Sequence, residues 1–178
     1  ILPVYFDFAD PEQVKRGAQT IISAGGPVDI LVNNAGIIHT ALFQMTPVDK
    51  MKEVFEINFF SQLVLTQYVI KIMTRQKKGT IINISSSSAI DCNQGRLSYA
   101  ASKAALICST KVMAKELGRY NIRVNAIAPG LTDTDMMKNT TAKDVLESTL
   151  ERTCMKRVGE PLEIANTVLF LSSDLSSY

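Results

Sequence analysis

The sequence predicts an α/β fold, a doubly wound parallel sheet with helices on both faces. Three observations carry the expectation. Short apolar runs rich in β-branched residues recur at 28–33 (VDILVN), 80–85 (TIINIS) and 122–128 (IRVNAIA). Longer amphipathic segments separate them, which is the alternation of βαβ units. Finally, neither internal repeats nor a low-complexity linker interrupts the 178 residues, of which 46% are hydrophobic, enough for a single domain spanning 1–178 with one core.

Taken in order, residues 4–7 read as the end of a strand. Asp10-Pro11-Glu12 then opens a helix to about residue 23, with Pro11 at the first helical position, and Gly25-Gly26-Pro27 closes it. After the strand at 28–33, Thr46-Pro47-Val48-Asp49 starts one long helix reaching roughly residue 76, ended by Lys77-Lys78-Gly79. The strand at 80–85 leads to an alanine-rich helix from 98 to about 117, stopped by Gly118, and a further strand at 122–128. Pro129-Gly130 breaks the pattern. A polar stretch follows at 132–141, then short helices at about 142–154 and 161–172; the segment from 132 to about 154 is expected to act as a lid.

Composition narrows the function. With 19 basic and 17 acidic side chains the net charge is only +2, so no strong field invites nucleic acid or an anionic membrane, and a small molecule is the expected partner. Three cysteines without C-x-x-C spacing and a single histidine, His39, leave too few soft ligands for a metal site. Reduced thiols, the absence of an apolar run of ~18 residues and the absence of an export signal make the cytoplasm the expected compartment.

Tyr99 and Lys103 stand four apart on the predicted helix and leave the same face. An ammonium beside a phenol favours the phenolate and suits a general acid or base, although such pairs also occur by chance on surface helices. The strand at 80–85 runs into serines 85–88 at its carboxyl end, where ligands bind in sheets of this kind and a hydroxyl can hold a carbonyl oxygen as charge develops; an ordinary serine-rich loop is the alternative. Asn33-Asn34-Ala35-Gly36 follows the preceding strand, where Gly36 lets backbone approach a ligand or simply makes a turn. Asn58 interrupts the apolar face Phe55, Ile57, Phe59, Leu63, and is either a functional amide or one that caps the core.

Together these residues resemble the short-chain dehydrogenase/reductases, in order and over nearly the whole chain: Asp7 at a strand end, NNAG at 33–36, Asn58, the NISS run, Tyr-x-x-x-Lys at 99–103, and NAIAPG at 125–130. The resemblance implies a Rossmann-like fold and an NAD- or NADP-dependent oxidoreductase moving a hydride between nicotinamide and a carbonyl or secondary alcohol. In that family the active serine lies thirteen positions before the tyrosine, which selects Ser86. By the same resemblance Tyr99 exchanges the proton, Ser86 holds the substrate oxygen, Lys103 binds the nicotinamide ribose and lowers the tyrosine pKa, and Asn58 holds a water of the proton relay. Asp7 and Phe8 would approach the adenine, Asn34, Ala35 and Gly36 the adenosine side, and Pro129, Gly130 and Thr132 the nicotinamide end.

Within the family the nearest look is to the β-ketoacyl-carrier-protein reductases, with sugar, polyol and hydroxysteroid dehydrogenases as alternatives. The substrate would then be a small carbonyl or alcohol, free or bound to a carrier protein, and the oligomer a dimer or tetramer assembled through the helices at 51–73 and 98–117. Substrate choice is expected to lie in 89–97, 39–43 and the lid, including Met136 and Met137, with Met155 more a core filler and His39 a loop residue near the pocket. A catalytically silent dinucleotide-binding relative is the rival, disfavoured by the intact Asn58, Ser86, Tyr99, Lys103 set. The family's glycine-rich pyrophosphate loop has no counterpart here, and with it goes the segment that separates NAD from NADP. The sheet is therefore expected to be incomplete, without the first two strands and the last, the natural protein longer at both ends, and these 178 residues poorly stable alone.

Overall fold

The computed structural model describes residues 2–178. Helix α1 (Pro11–Ser23) begins where the Asp10 carboxylate accepts the backbone N–H groups of Glu12 (2.9 Å) and Gln13 (3.2 Å), with Pro11 in the first turn where no donor is needed. Strands β1 (Ile30–Asn33), β2 (Gly79–Ile84) and β3 (Ile122–Ile127) form a parallel sheet in that order, with Leu31 opposite Ile81 and Ile81 opposite Val124. β2 is central; Ile81 and Ile82, which point to opposite faces, are both fully buried.

On one face Ile81, Val124 and Ile122 meet Leu65, Val69 and Met73 of the long helix between β1 and β2, Leu117 of the helix between β2 and β3, and Val14 and Ala18 of α1. On the other face Arg123 donates to Thr80 Oγ1 (3.0 Å) and to the Leu171 (2.7 Å) and Ser173 (3.3 Å) carbonyls, docking helix α8 (Pro161–Ser172). Both faces are thus covered, as the sequence predicts.

Several boundaries differ from expectation. Residues 4–7 form no strand, because extended backbone becomes a strand only against a partner ladder, and the outer edge of β1 takes none; Ile30 and Val32 remain 47% and 39% exposed there. Phe6 and Phe8 instead tuck against the core with ring centroids 5.1 Å apart. β1 starts at Ile30 because the N–H and C=O of Val28 are satisfied by the Gln76 side chain (2.9 and 3.0 Å) rather than by a ladder.

The long helix is three pieces: α2 (Val48–Phe55), a π turn (Glu56–Phe60) and α3 (Ser61–Gln76). Two short helices, α4 (Ser88–Asp91) and α6 (Asp135–Thr140), occupy segments read as loop, the second capped by the Thr134 hydroxyl. α5 (Leu97–Leu117) ends at Gly118 as the sequence predicts, though without a left-handed turn at the glycine. Gly118 keeps right-handed φ and starts one 3-10 turn that ends at Asn121, where φ is +58°. α7 (Lys143–Arg152) and α8 lie where expected.

Candidate active site

The three parallel strands end along one edge, and Tyr99, Lys103, the serine run, Gly36 and Asn58 lie at or against it. Tyr99 and Lys103 project one turn apart from α5, with the Lys103 ammonium 5.9 Å from the Tyr99 ring centroid. Lys103 is only 3% exposed and donates to the carbonyl of Ile84, the last residue of β2, at 2.7 Å. Burial lowers its pKa to about 8, because a charged amine loses hydration that one carbonyl only partly replaces.

The serine run divides by function of each hydroxyl. Ser85 Oγ donates to the Lys103 carbonyl (2.8 Å) and so ties β2 to α5. Ser86, 8% exposed, accepts the Ser88 N–H (3.1 Å) and keeps its own proton for another acceptor. The Ser85 and Ser87 amides donate to the Ile127 (2.7 Å) and Pro129 (2.8 Å) carbonyls, which holds the loop after β3 against the serines.

Asn58 sits in the π turn and is fully buried. The wider turn inserts one residue into the helix and directs the amide at the loop after β1. There Oδ1 accepts the Ile37 N–H (2.8 Å) while Nδ2 donates to the Ile37 carbonyl (2.9 Å) and to Ser102 Oγ (3.1 Å). Both amide protons are spent on protein, so this side chain acts on the backbone of Ile37 as a strand would. Gly36, next in line, faces the same point: a Cβ there would lie 3.3 Å from both Asn58 Oδ1 and Lys103 Nζ. Glycine is what lets the 34–37 loop lie this close to the buried ammonium.

Of the remaining expected positions, Ala35 is half-buried and its carbonyl accepts from Gln62 Nε2, while Asn34 is exposed. Asp7 is exposed and accepts the Ala9 N–H (2.8 Å) within a turn. The carbonyl of Phe8 accepts from Ser61 Oγ (2.8 Å), which fastens it to the helix that carries Asn58. Thr132 makes an isolated parallel bridge with Gly159, its hydroxyl donating to the Gly130 carbonyl at 3.2 Å; Pro129 is half-buried and Gly130 exposed.

Two features escape sequence reasoning. Asn33 Nδ2 donates to Thr66 Oγ1 (2.9 Å) and Asn83 Oδ1 (2.8 Å), and Asn83 Nδ2 to Thr110 Oγ1 (2.7 Å), a buried polar chain from α3 through β1 and β2 to α5 beneath the site. Its signal is an asparagine inside a run of buried β-branched residues, which no core of a sheet holds without partners. The second is Gln62, fully buried four residues after Asn58 on the same helix, whose Nε2 supports the Ala35 carbonyl.

Over residues 2–178 the chain matches the family described as enoyl-(acyl carrier protein) reductase. It is 40% identical over 176 residues to the 3-oxoacyl-(acyl-carrier-protein) reductase FabG of Thermotoga maritima, covering 99% of this chain and 71% of that one. Among solved structures it matches a 7α-hydroxysteroid dehydrogenase complexed with NADH and 7-oxoglycochenodeoxycholic acid, with a TM-score of 0.90 at 38% identity, covering 97% of this chain and 67% of that one. A xylitol dehydrogenase with NAD+ bound gives 0.86 at 29% identity, covering 97% and 72%. Fold and matches define an NAD(P)-dependent oxidoreductase of CH–OH groups on a Rossmann-like sheet. The chain belongs to the short-chain dehydrogenase/reductase family, as its motifs imply. Among the described residues no helix is long and apolar enough to cross a membrane.

Proposed function

We propose that this chain reduces a 3-oxoacyl group or a similar ketone, and oxidises the matching secondary alcohol, through Tyr99, Ser86 and Lys103. The observation that supports the reading above all is the Lys103 ammonium, buried, near the Tyr99 ring and directly under Gly36. A lysine held at a pKa of about 8 with a single carbonyl partner retains donors for sugar hydroxyls. The close approach allowed by Gly36 suits the ribose that those donors would meet, so the residues present fit the nicotinamide end of NAD or NADP. When bound, the dinucleotide supplies or accepts the hydride.

The chain's own residues handle the rest. Ser86 Oγ–H donates to the substrate oxygen as negative charge develops there. Tyr99 delivers its phenolic proton to that oxygen in reduction and removes it in oxidation, and the Lys103 ammonium favours the phenolate left behind. Asn58 acts as a positioning residue, holding Ile37 and through it the 34–36 loop. Asn34, Ala35 and Gly36 would border the adenosine side, Asp7 and Phe8 the adenine, and Pro129, Gly130 and Thr132 the nicotinamide end. In the same reading 1–178 is one domain, α6 and α7 form the lid over 132–154, the substrate is free or carried on an acyl carrier protein, and the enzyme is a cytoplasmic dimer or tetramer.

A panel of ketones and alcohols assayed with NADH and NADPH tests this. Tyr99→Phe should lower kcat by about 10²- to 10⁴-fold while leaving the circular dichroism spectrum and nucleotide affinity intact. Wild-type turnover in that variant would overturn the assignment.

A further inference from the structure

A cleft of about 480 Å3 opens between residues 38–40, after β1, and residues 139–142, where α6 turns into α7. Both of its walls are fastened to the residues just ahead of Tyr99. The Ala41 N–H donates to the Gly95 carbonyl at 3.1 Å, and Gly95 has φ +75°, a turn that favours glycine. Arg96 Nη2 donates to the Thr140 carbonyl at 3.3 Å.

Arg96 lies three residues before Tyr99, one turn away, and is half-buried. Burial lowers its pKa below the usual guanidinium range, with the Tyr99 phenol working the other way. Among the described residues it pairs with no carboxylate, and its one hydrogen bond leaves most of its five donors unused. His39 lines the cleft, and its Nε2 is enclosed without a partner. A half-desolvated cation with no counter-ion, bonded to Thr140 of one wall, and an unsatisfied ring nitrogen in the other wall are groups that an anionic oxygen in the cleft would complete.

We propose that this cleft takes the distal end of a carbonyl substrate bearing a carboxylate, with Arg96 pairing the anion and His39 bonding one of its oxygens, so that Arg96 selects oxo acids over neutral ketones. The proposal rests on Tyr99 serving the substrate carbonyl and adds the chemistry at the substrate's other end. The guanidinium is suited to it because its fork can hold both carboxylate oxygens while a lysine holds one.

The test compares acetoacetate and 5-oxohexanoate with their ethyl esters, using the enzyme with NADH or NADPH. The wild type should favour the acid of at least one pair, and Arg96→Gln should lower the acid-to-ester ratio of kcat/KM by about ten-fold or more. Arg96→Lys should fall between, which also guards against a glutamine variant that misfolds. A clasp that merely holds Thr140 would lower both substrates together, so an unchanged ratio in both pairs overturns the proposal. If no ketone is turned over, the oxidoreductase reading of Tyr99 fails. The anion site is then decided by thermal unfolding: the acids, not the esters, should raise the melting temperature of wild type but not of Arg96→Gln, and no such difference refutes it.

Discussion

Replacing Lys103 with methionine turns the buried ammonium into a measurable stability signature. The side chain is 3% exposed and its pKa falls from the usual 10.5 to about 8 on folding. A shift of that size corresponds to about 3 kcal/mol between charge states. Because the folded pKa is the lower one, the unfolded chain binds more protons between about 8 and 10.5, so stability rises with pH across that window. Below pH 8 the full cost is present. Methionine has no such titration and keeps nearly the same volume. Relative to Lys103→Met, the wild type should therefore gain about 2.5 kcal/mol between pH 7 and pH 10. Urea unfolding of both proteins at several pH values gives the difference directly, since every other titrating group cancels in the comparison. A constant difference across the range would refute a buried ammonium at this position. The same variant should lose turnover, making Lys103 a residue that function retains against stability.

Asn58→Ala would leave the half-buried Ile37 N–H and C=O without partners beside the gap left by a fully buried amide, and should cost about 2 kcal/mol in urea unfolding together with a fall in kcat/KM. Ser85 and Ser86 should separate cleanly. Ser85→Ala removes the bond to the Lys103 carbonyl and should cost about 1 kcal/mol with turnover largely kept, whereas Ser86→Ala should keep stability and lower kcat by about 10²- to 10³-fold. Reversal of that order would assign the hydroxyls wrongly. Gly36→Ala places a methyl 3.3 Å from Asn58 Oδ1 and Lys103 Nζ, so nucleotide KM should rise while stability falls by about 1 kcal/mol; an unaltered KM would show that the loop has room to spare.

What was legible in the sequence follows from what is local. The Asp10-Pro11 pair fixes the start of α1 because cap and first turn lie within three residues, and continuous β-branched runs mark β1, β2 and β3 because both sheet faces are covered. Residues 4–7 misled because a strand is a property of two segments, and the second is missing from the sheet. The π turn at Glu56–Phe60 is silent in the pattern, since an inserted residue alters hydrogen bonds without breaking the apolar stripe. Tyr99, Lys103, Ser86, Asn58 and Gly36 were visible as a spaced set and do come to one edge. The chain of Asn33, Asn83, Thr66 and Thr110 was not, because its partners lie 27 to 50 residues apart and only the register of β1 on β2 brings them together.

The π turn also sets how tolerant this helix is of changes in length. Deleting any one residue from 56 to 60 would restore an ordinary helix, because the wide turn fits one extra residue into nearly the rotation and rise of an α turn, and α2 and α3 would keep their places while the side chains between them shift. The amide would no longer face Ile37, so a one-residue gap here would release the loop after β1 while both halves of the helix stay seated.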